Sequence, residues 1–235
     1  MAISQKYGRT YHYPFSPGTT SDDRIKHDYW EQLQNIPNII HTEKLDGENN
    51  CLSKYGVFAR SHAAPTTSAW TESIRRFWQI VKNDLGELEI FLENLYAIHS
   101  IEYQNLEHHF YVFGIREHDQ WLGWEETKFY AGMLGLPVVP EITVSKTPAN
   151  KLVFESEILA LADSKGSFEP FDAYDARPTT IEGIVTRNAD NYCVTEFSSN
   201  VFKYVRKGHV KTDQHWTRNW KRAGLKNEGG GYVGY

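Results

Sequence analysis

From residue 38 onward, apolar and polar positions alternate in short runs at the spacing of strands: NIIHTEKL (38–45), NNCLSKYG (49–56), GVFARS (56–61), LEIFLENLYA (88–97), HFYVFGIRE (109–117), TIEGIVTRN (180–188) and YCVTEFSSNVFKYV (192–205). Val, Ile, Phe, Tyr and Thr dominate these runs, and such residues suit a pleated, half-buried surface. Helical spacing interrupts them. Residues 67–85 begin at a Thr-Ser cap and set Trp70, Ile74, Phe77 and Val81 on one face; residues 124–137 stop at Gly-Leu-Pro; residues 148–165 predict a third helix. Ahead of the strands, residues 1–36 are rich in Tyr, Pro, Ser and Thr, carry the turn signal SPGTTSDD and predict one short helix over 23–35. This segment reads as a lead-in that packs on a main domain spanning 37–227, and the Gly-rich residues 228–235 read as a flexible tail. Strands with helices inserted in this order predict an α+β fold with antiparallel sheets flanked by helices.

Composition narrows the partners. A chain of 235 residues is ample for a buried core. With 25 basic and 30 acidic residues its net charge is -5, so any nucleic-acid contact must come from a local patch. The two cysteines, Cys51 and Cys193, form no CxxC pair and read as small core residues. The N-terminus has no apolar signal region and no stretch approaches about 18 apolar residues, which predicts a soluble cytoplasmic protein with no membrane partner. The ten histidines form no HExxH or comparable ligand set, and the absence of GxxxxGK[ST] excludes a P-loop enzyme.

The candidate chemistry lies in charges that interrupt the strands. Lys44 follows an apolar run, Arg60 ends VFARS, Glu93 sits inside IFLENLY, Glu182 inside TIEGIV and Lys203 inside NVFKYV. Any one of them taken singly is read as a solvent-facing residue of an alternating strand. Five together need a shared reason, since a charge among apolar strand residues is costly unless partnered. Lys44 stands in HTEKLDGENN, where Asp-Gly alone would make a turn and the lysine is left over. A lysine becomes a nucleophile when its surroundings lower its pKa. Phe113, in an aromatic strand, offers a ring for stacking on a base.

The order K-x-D-G, Arg-Ser, strand Glu, aromatic strand, E-G-h-V and a Lys-bearing strand resembles the covalent nucleotidyltransferases, the polynucleotide ligases and capping enzymes, and within them the ATP-dependent RNA ligases. The resemblance runs from about Thr42 to Lys207, and RTYHYPFSPGTTSDD and GHVKTDQHW are similar to bacterial and phage RNA-ligase homologues. It implies a nucleotidyltransferase, ATP-grasp-like ligase domain over 37–227 and residence in a bacterial or phage-infected cell. It further implies ATP and Mg2+ or Mn2+ as cofactors, and RNA with 5′-phosphate and 3′-hydroxyl ends as partner. Lys44 would attack the α-phosphate and hold AMP, its pKa lowered by burial beside other cations. Glu43 would read the adenine edge and Phe113 stack on the purine. Arg60 and Glu93 would contact ribose or phosphate, Glu182 position the divalent cation and Lys203 neutralise phosphate charge. Gly47 would permit the turn, and Asn49 would act on the nucleic-acid end.

The pattern also departs from the family. The last motif holds two lysines separated by one residue, whereas here Val205 follows Lys203 at that spacing, leaving Arg206 or Lys207 as the second cation. Too little chain follows Lys207 for an OB domain or a helical C-terminal domain, which implies a bare adenylation domain and raises a protein partner in its place. The segment GHVKTDQHWTRNWKR interleaves Lys211, His215, Trp216, Arg218, Trp220, Lys221 and Arg222, either to grip RNA or to cap the domain as an amphipathic helix with buried tryptophans. Three other readings share these motifs: a nick-sealing DNA ligase, a GTP-using capping enzyme, and a non-catalytic nucleic-acid-binding relative.

Overall fold

In the computed structural model, which describes residues 6–21, 23–208 and 216–228, backbone pairing turns the alternating runs into two principal sheets. In chain order the first elements are β1 (Tyr11–His12), α1 (Tyr29–Leu33), β2 (Asn38–Lys44), β3 (Glu48–Ser53), β4 (Gly56–Ala59), α2 (Glu72–Val81), β5 (Leu88–Asn94), β6 (Ile101–Tyr103) and β7 (Phe110–Glu117). There follow β8 (Gln120–Trp121), α3 (Trp124–Met133), β9 (Glu141–Lys146), α4 (Lys151–Ala162), β10 (Pro170–Asp172), β11 (Gly183–Asn188), β12 (Tyr192–Cys193), α5 (Phe197–Asn200) and β13 (Val201–Val205). The five-stranded sheet runs β1-β13-β11-β2-β9 and is antiparallel except where β1 lies parallel to β13. The six-stranded sheet runs β12-β8-β7-β5-β3-β4 and is antiparallel throughout. Strands β6 and β10 form a separate ribbon.

Alternation splits each sheet into an inner and an outer face. Ile40, Val185 and Val201 of the first sheet meet Cys51, Phe91, Phe113 and Trp121 of the second in a core between them. The outer face of the first sheet, with Ile39, Ile184 and Phe202, packs under Tyr29 and Leu33 of α1, Phe154 and Ile158 of α4 and Tyr13 of the N-terminal segment. The outer face of the second, with Leu52, Ile90 and Val112, packs under Ile74 and Val81 of α2 and Ala131 of α3. Helices thus flank antiparallel sheets, as the α+β reading predicts. Each fully buried large side chain contributes about 1.5–3 kcal/mol, and the first of the three clusters is the one that joins the two sheets.

Local departures have local causes. The predicted helix over 23–35 shortens to α1 because residues 24–26 are drawn into backbone bonds with His12, whose N–H donates to Arg24 O at 2.8 Å and whose carbonyl accepts from Lys26 N at 2.9 Å. Helix α2 starts only at Glu72, leaving Trp70 in a preceding 3-10 turn, Ala69–Thr71. Helix α4 starts where Asn150 accepts hydrogen bonds from Leu152 N and Val153 N, satisfying two otherwise orphaned amides. The run 192–205 is not one strand. Helix α5 breaks it, Asn200 closing that helix by donating to Glu196 O at 2.9 Å and accepting from Asn188 at 2.8 Å. Strands β1, β6, β8, β9 and β10 went unpredicted; β9 is an edge strand with half-exposed apolar positions, so its hydrophobic signal is weak. Cys51 is buried, whereas Cys193 is only half-buried on an edge strand, which corrects its assignment to the core. No described helix is long and apolar enough to cross a membrane. Of the predicted tail, residues 229–235 lie outside the described residues.

Candidate nucleotide-binding site

The ladder between β2 and β11 aligns Lys44 with Gly183. Glu182, one residue earlier, therefore reaches across, and Lys44 Nζ donates to its Oε2 at 2.7 Å. Beside this pair opens a cavity of about 500 Å³. Lys44, Arg60, Glu93 and Lys203 all line it, so the topology gathers the strand-borne charges of the sequence into one cleft, with Glu182 attached through Lys44. Glu93 and Asn49 are cross-strand partners on the six-stranded sheet and both line the cavity, as do Phe113 from β7 and Glu43 from β2. The side-chain oxygen of Asn49 is buried without a hydrogen-bond partner.

The turn after Lys44 is built differently from a plain Asp-Gly turn. Asp46 Oδ2 accepts from Ser100 N at 2.7 Å and Ile101 N at 2.8 Å, and Asp46 N donates to the Tyr103 hydroxyl at 2.9 Å. Gly47 N donates to Glu93 Oε1 at 3.0 Å. The φ of Gly47 is not in the left-handed region, which corrects the expectation that glycine is there for the turn. A Cβ at this position would stand 2.6 Å from Asn94 O, so glycine is required because β5 passes so close.

Electrostatics correct a second expectation. Burial pulls the Lys44 pKa down, but Glu182 and Glu93 outweigh it, so the ammonium is held above its ordinary value rather than below. Lys203 carries the lowered pKa: burial and the neighbouring Lys44 and Arg60 depress it, against Asp23 and Glu182. Burial pushes Glu93 up to about 8, with Glu182 and Asp46 adding to the effect and Lys44 opposing it. Burial also raises Glu43, whose Oε1 accepts from Ser167 Oγ at 2.8 Å.

Some predicted residues do not join the cleft. Arg206 Nε donates to Ile181 O at 3.0 Å, and neither it nor the exposed Lys207 and Arg218 lines the cavity. Lys211 and His215 lie outside the described residues. In the described part of the C-terminal segment, residues 216–228, the chain forms a 3-10 turn, Trp216–Arg218. Trp220 packs against Trp70 and Tyr96, with ring centroids 6.3 and 6.0 Å away. Arg222 pairs with Glu228 and stands over Tyr96.

Other wall residues were missed from the sequence. Arg187 Nη1 donates to Thr42 Oγ1 at 2.6 Å, and its guanidinium stands 5.8 Å over the Phe113 ring. Period two along TIEGIVTRN places Arg187 on the face of Val185, a legible signal. Tyr7 and Thr10 also line the cavity, and Tyr7 meets Phe113 edge-on at 5.1 Å. For a divalent cation the donor chemistry fits: Glu182 offers hard carboxylate oxygens, and Mg2+ is commonly held by one or two carboxylates plus substrate phosphates. No group of three or more His, Cys, Asp or Glu among the described residues forms a metal cage.

Solved structures share this architecture. An apo point mutant of an RNA ligase from Naegleria gruberi superposes with TM-score 0.53 at 19% identity, over 83% of this chain and 57% of that one. A mutant of the same ligase with ATP and Mn gives 0.52 at 18% identity, over 86% and 60%. An archaeal ATP-dependent RNA ligase gives 0.53 at 14% identity, over 86% and 48%. The chain thus spans a little over half the length of the Naegleria ligase, and at these identities the likeness is one of fold. No curated protein sequence matches significantly. The RNA ligase family profile matches residues 37–205, most of the chain and every strand that carries a cleft charge, and by that match the chain belongs to the RNA ligase family.

Proposed function

We propose that this chain is the adenylation domain of an ATP-dependent RNA ligase, with Lys44 as the residue that carries AMP. The observation that supports this most is Lys44 Nζ, held at 2.7 Å from Glu182 on the wall of a cavity that also presents Lys203, Arg60 and Phe113. In the first step Lys44 Nζ gives up its proton and attacks the α-phosphorus of ATP. A phosphorus–nitrogen bond forms, the bond to the bridging oxygen breaks, and pyrophosphate leaves. An RNA 5′-phosphate oxygen then displaces the lysine, and a 3′-hydroxyl finally displaces AMP to close the phosphodiester. In-line placement and charge neutralisation carry each transfer.

Each wall residue has a part in that scheme. Lys203 and Arg60 meet the phosphates, Glu43 and Phe113 meet the base, and Asn49 meets the RNA end. Lys44 is protonated while it faces Glu182 and Glu93, so deprotonation must accompany loading of the site. A divalent cation at Glu182 would supply charge neutralisation there, taking up the negative field that keeps Lys44 an ammonium. Joining of RNA 5′-phosphate and 3′-hydroxyl ends in repair is the setting this chemistry suits.

One observation favours a second reading, a relative that binds without turnover. The second cation of the family's last motif is missing, because Val205 is buried and Arg206 turns to the Ile181 carbonyl. Incubation with α-labelled ATP or GTP and magnesium, followed by denaturing electrophoresis, separates the two. A labelled band from ATP that Lys44→Ala abolishes is the expected result. No band from folded wild-type protein with either nucleotide would overturn the catalytic reading.

A further inference from the structure

The family profile begins at residue 37, yet the chain ahead of it reaches the cleft. There it contacts Lys203. Asp23 Oδ1 lies 3.5 Å from Lys203 Nζ and 3.1 Å from His12 Nε2, while Asp23 Oδ2 accepts from both the Thr20 amide and the Thr20 hydroxyl at 3.0 Å. On its other side His12 Nδ1 lies 2.9 Å from Ser16 Oγ, which itself accepts from Val205 N at 2.9 Å. Parallel pairing of β1 with β13 sets His12 directly opposite Lys203.

The protons of this chain of contacts can be assigned. Val205 N–H can only donate, so Ser16 Oγ accepts it. The single serine proton can go to His12 Nδ1 at 2.9 Å or to Val205 O at 3.3 Å, and the tautomer of the ring decides between them. Asp23 Oδ1, 3.1 Å from Nε2, can only accept, which favours a neutral ring with its proton on Nε2 and Nδ1 open to the serine proton, although the Nε2–H does not reach hydrogen-bond geometry toward the carboxylate. Burial and Lys203 hold His12 at about 4, in keeping with a neutral ring, and Asp23 is held at about 2 despite its burial, by the Thr20 amide, Lys203 and His12. Serine, histidine and aspartate in series resemble a hydrolase triad, but Ser16 is 5% exposed and committed to the backbone of β13, so no substrate reaches it. The series ends on a lysine and serves that lysine.

We propose that Asp23, oriented by Thr20 and lying against His12, is a positioning residue for Lys203, and that the N-terminal segment thereby completes the nucleotide site from outside the family core. Without Asp23 the ammonium would be left among Lys44 and Arg60, which repel it, with Glu182 as its remaining nearby anion. The inference rests on the proposed role of Lys203 as the group that meets phosphate charge. It also carries a distinguishing signature, because Asp23 is itself an anion beside the place where phosphates would sit. Removing its charge should misplace Lys203 and slow the reaction without weakening ATP binding.

Single-turnover labelling of Lys44 in wild type, Asp23→Asn, Asp23→Glu, Lys203→Ala and the Asp23→Asn/Lys203→Ala double variant tests this. Asp23→Asn should lower the rate at saturating ATP at least about tenfold, toward the roughly hundredfold that a misplacement of about 1 Å costs, with the KM for ATP unchanged or lower. Asp23→Glu should restore most of the rate. In the Lys203→Ala background Asp23→Asn should have almost no further effect, since the two residues act as one unit. Equal losses in both backgrounds, or a raised KM at unchanged rate, would overturn the proposal. The 15N shifts of the His12 ring give a readout that needs no activity and decides the matter where the Lys203→Ala rate falls below detection. A proton on Nε2, moved or shared in Asp23→Asn, is expected; a proton on Nδ1 in wild type overturns the relay. If wild type forms no adduct, the ligase reading fails while the ring shifts still report on the relay.

Discussion

The two sheets present unlike walls to the same cleft. The five-stranded sheet offers Lys44, Lys203 and Arg187, each answered by a nearby polar group: Glu182, Asp23 and Thr42. The six-stranded sheet brings Phe113 to the cleft, with Glu48, Asn49 and Glu93 from β3 and β5, and behind this surface Phe91 and Trp121, which do not line the cavity, are held by ring packing with Tyr7 and Phe197. One wall is organised by pairwise electrostatics on a backbone ladder, the other by burial. Substitutions in the first should therefore alter chemistry more than folding, and substitutions in the second folding more than chemistry.

The largest effect that would sharpen this contrast is on the aromatic side. Phe91 is fully buried and touches Tyr7, Trp121 and the Arg116 guanidinium, so Phe91→Ala should cost about 3–5 kcal/mol of stability, read by denaturant unfolding. On the charged side Glu182→Gln keeps the shape of the side chain and removes the charge facing Lys44. It should lower the adenylylation rate by about a hundredfold while leaving the melting temperature closer to wild type than Phe91→Ala does. The reverse ranking of the two variants in melting temperature would break the comparison.

Gly47→Ala tests the seam between the walls. The added methyl would meet Asn94 O at 2.6 Å, and overpacking of this kind costs about 1–3 kcal/mol, so both stability and labelling of Lys44 should fall. The smallest effect expected is of pH. His12 and His41 are each held at about 4 by burial, and both lie on the five-stranded sheet. An unfolded chain binds these protons below about 6.5 while the folded one excludes them, so stability that is complete above that pH is lost as pH falls toward 4. Glu93, held at about 8, works the other way over this range, so thermal melts at pH 7 and pH 5 report the balance, and His41→Gln should shift that balance toward greater relative stability at pH 5. An acid sensitivity unchanged by that substitution would place its origin elsewhere.

Much of the candidate site was legible because strand alternation makes a misplaced charge conspicuous. Lys44, Arg60, Glu93, Glu182 and Lys203 stand out for that reason, and Phe113 for its aromatic strand. Arg187 was equally conspicuous by the same count and simply passed over. The helix over 23–35 misled because its propensity is local, whereas residues 24–26 are taken by pairing with His12. The cysteine pair misled in half, since β-like composition does not distinguish an inner strand from an edge.

The sequence by itself determined the antiparallel α+β plan and the identity of the chemical groups, because both are written in periods of two and about 3.6 that neighbouring residues carry. Only the tertiary structure decided who meets whom. Lys44 and Glu182 are 138 residues apart and come within 2.7 Å through the register of β2 and β11, which turns a lysine expected to be depressed by cations into one raised by carboxylates. The same holds for Asp46 with the amides of Ser100 and Ile101, for Gly47 against the Asn94 carbonyl, and for Asp23 beside Lys203. Periodicity places a side chain on a face; the partner across that face is set by strand register and close packing, which no local pattern contains.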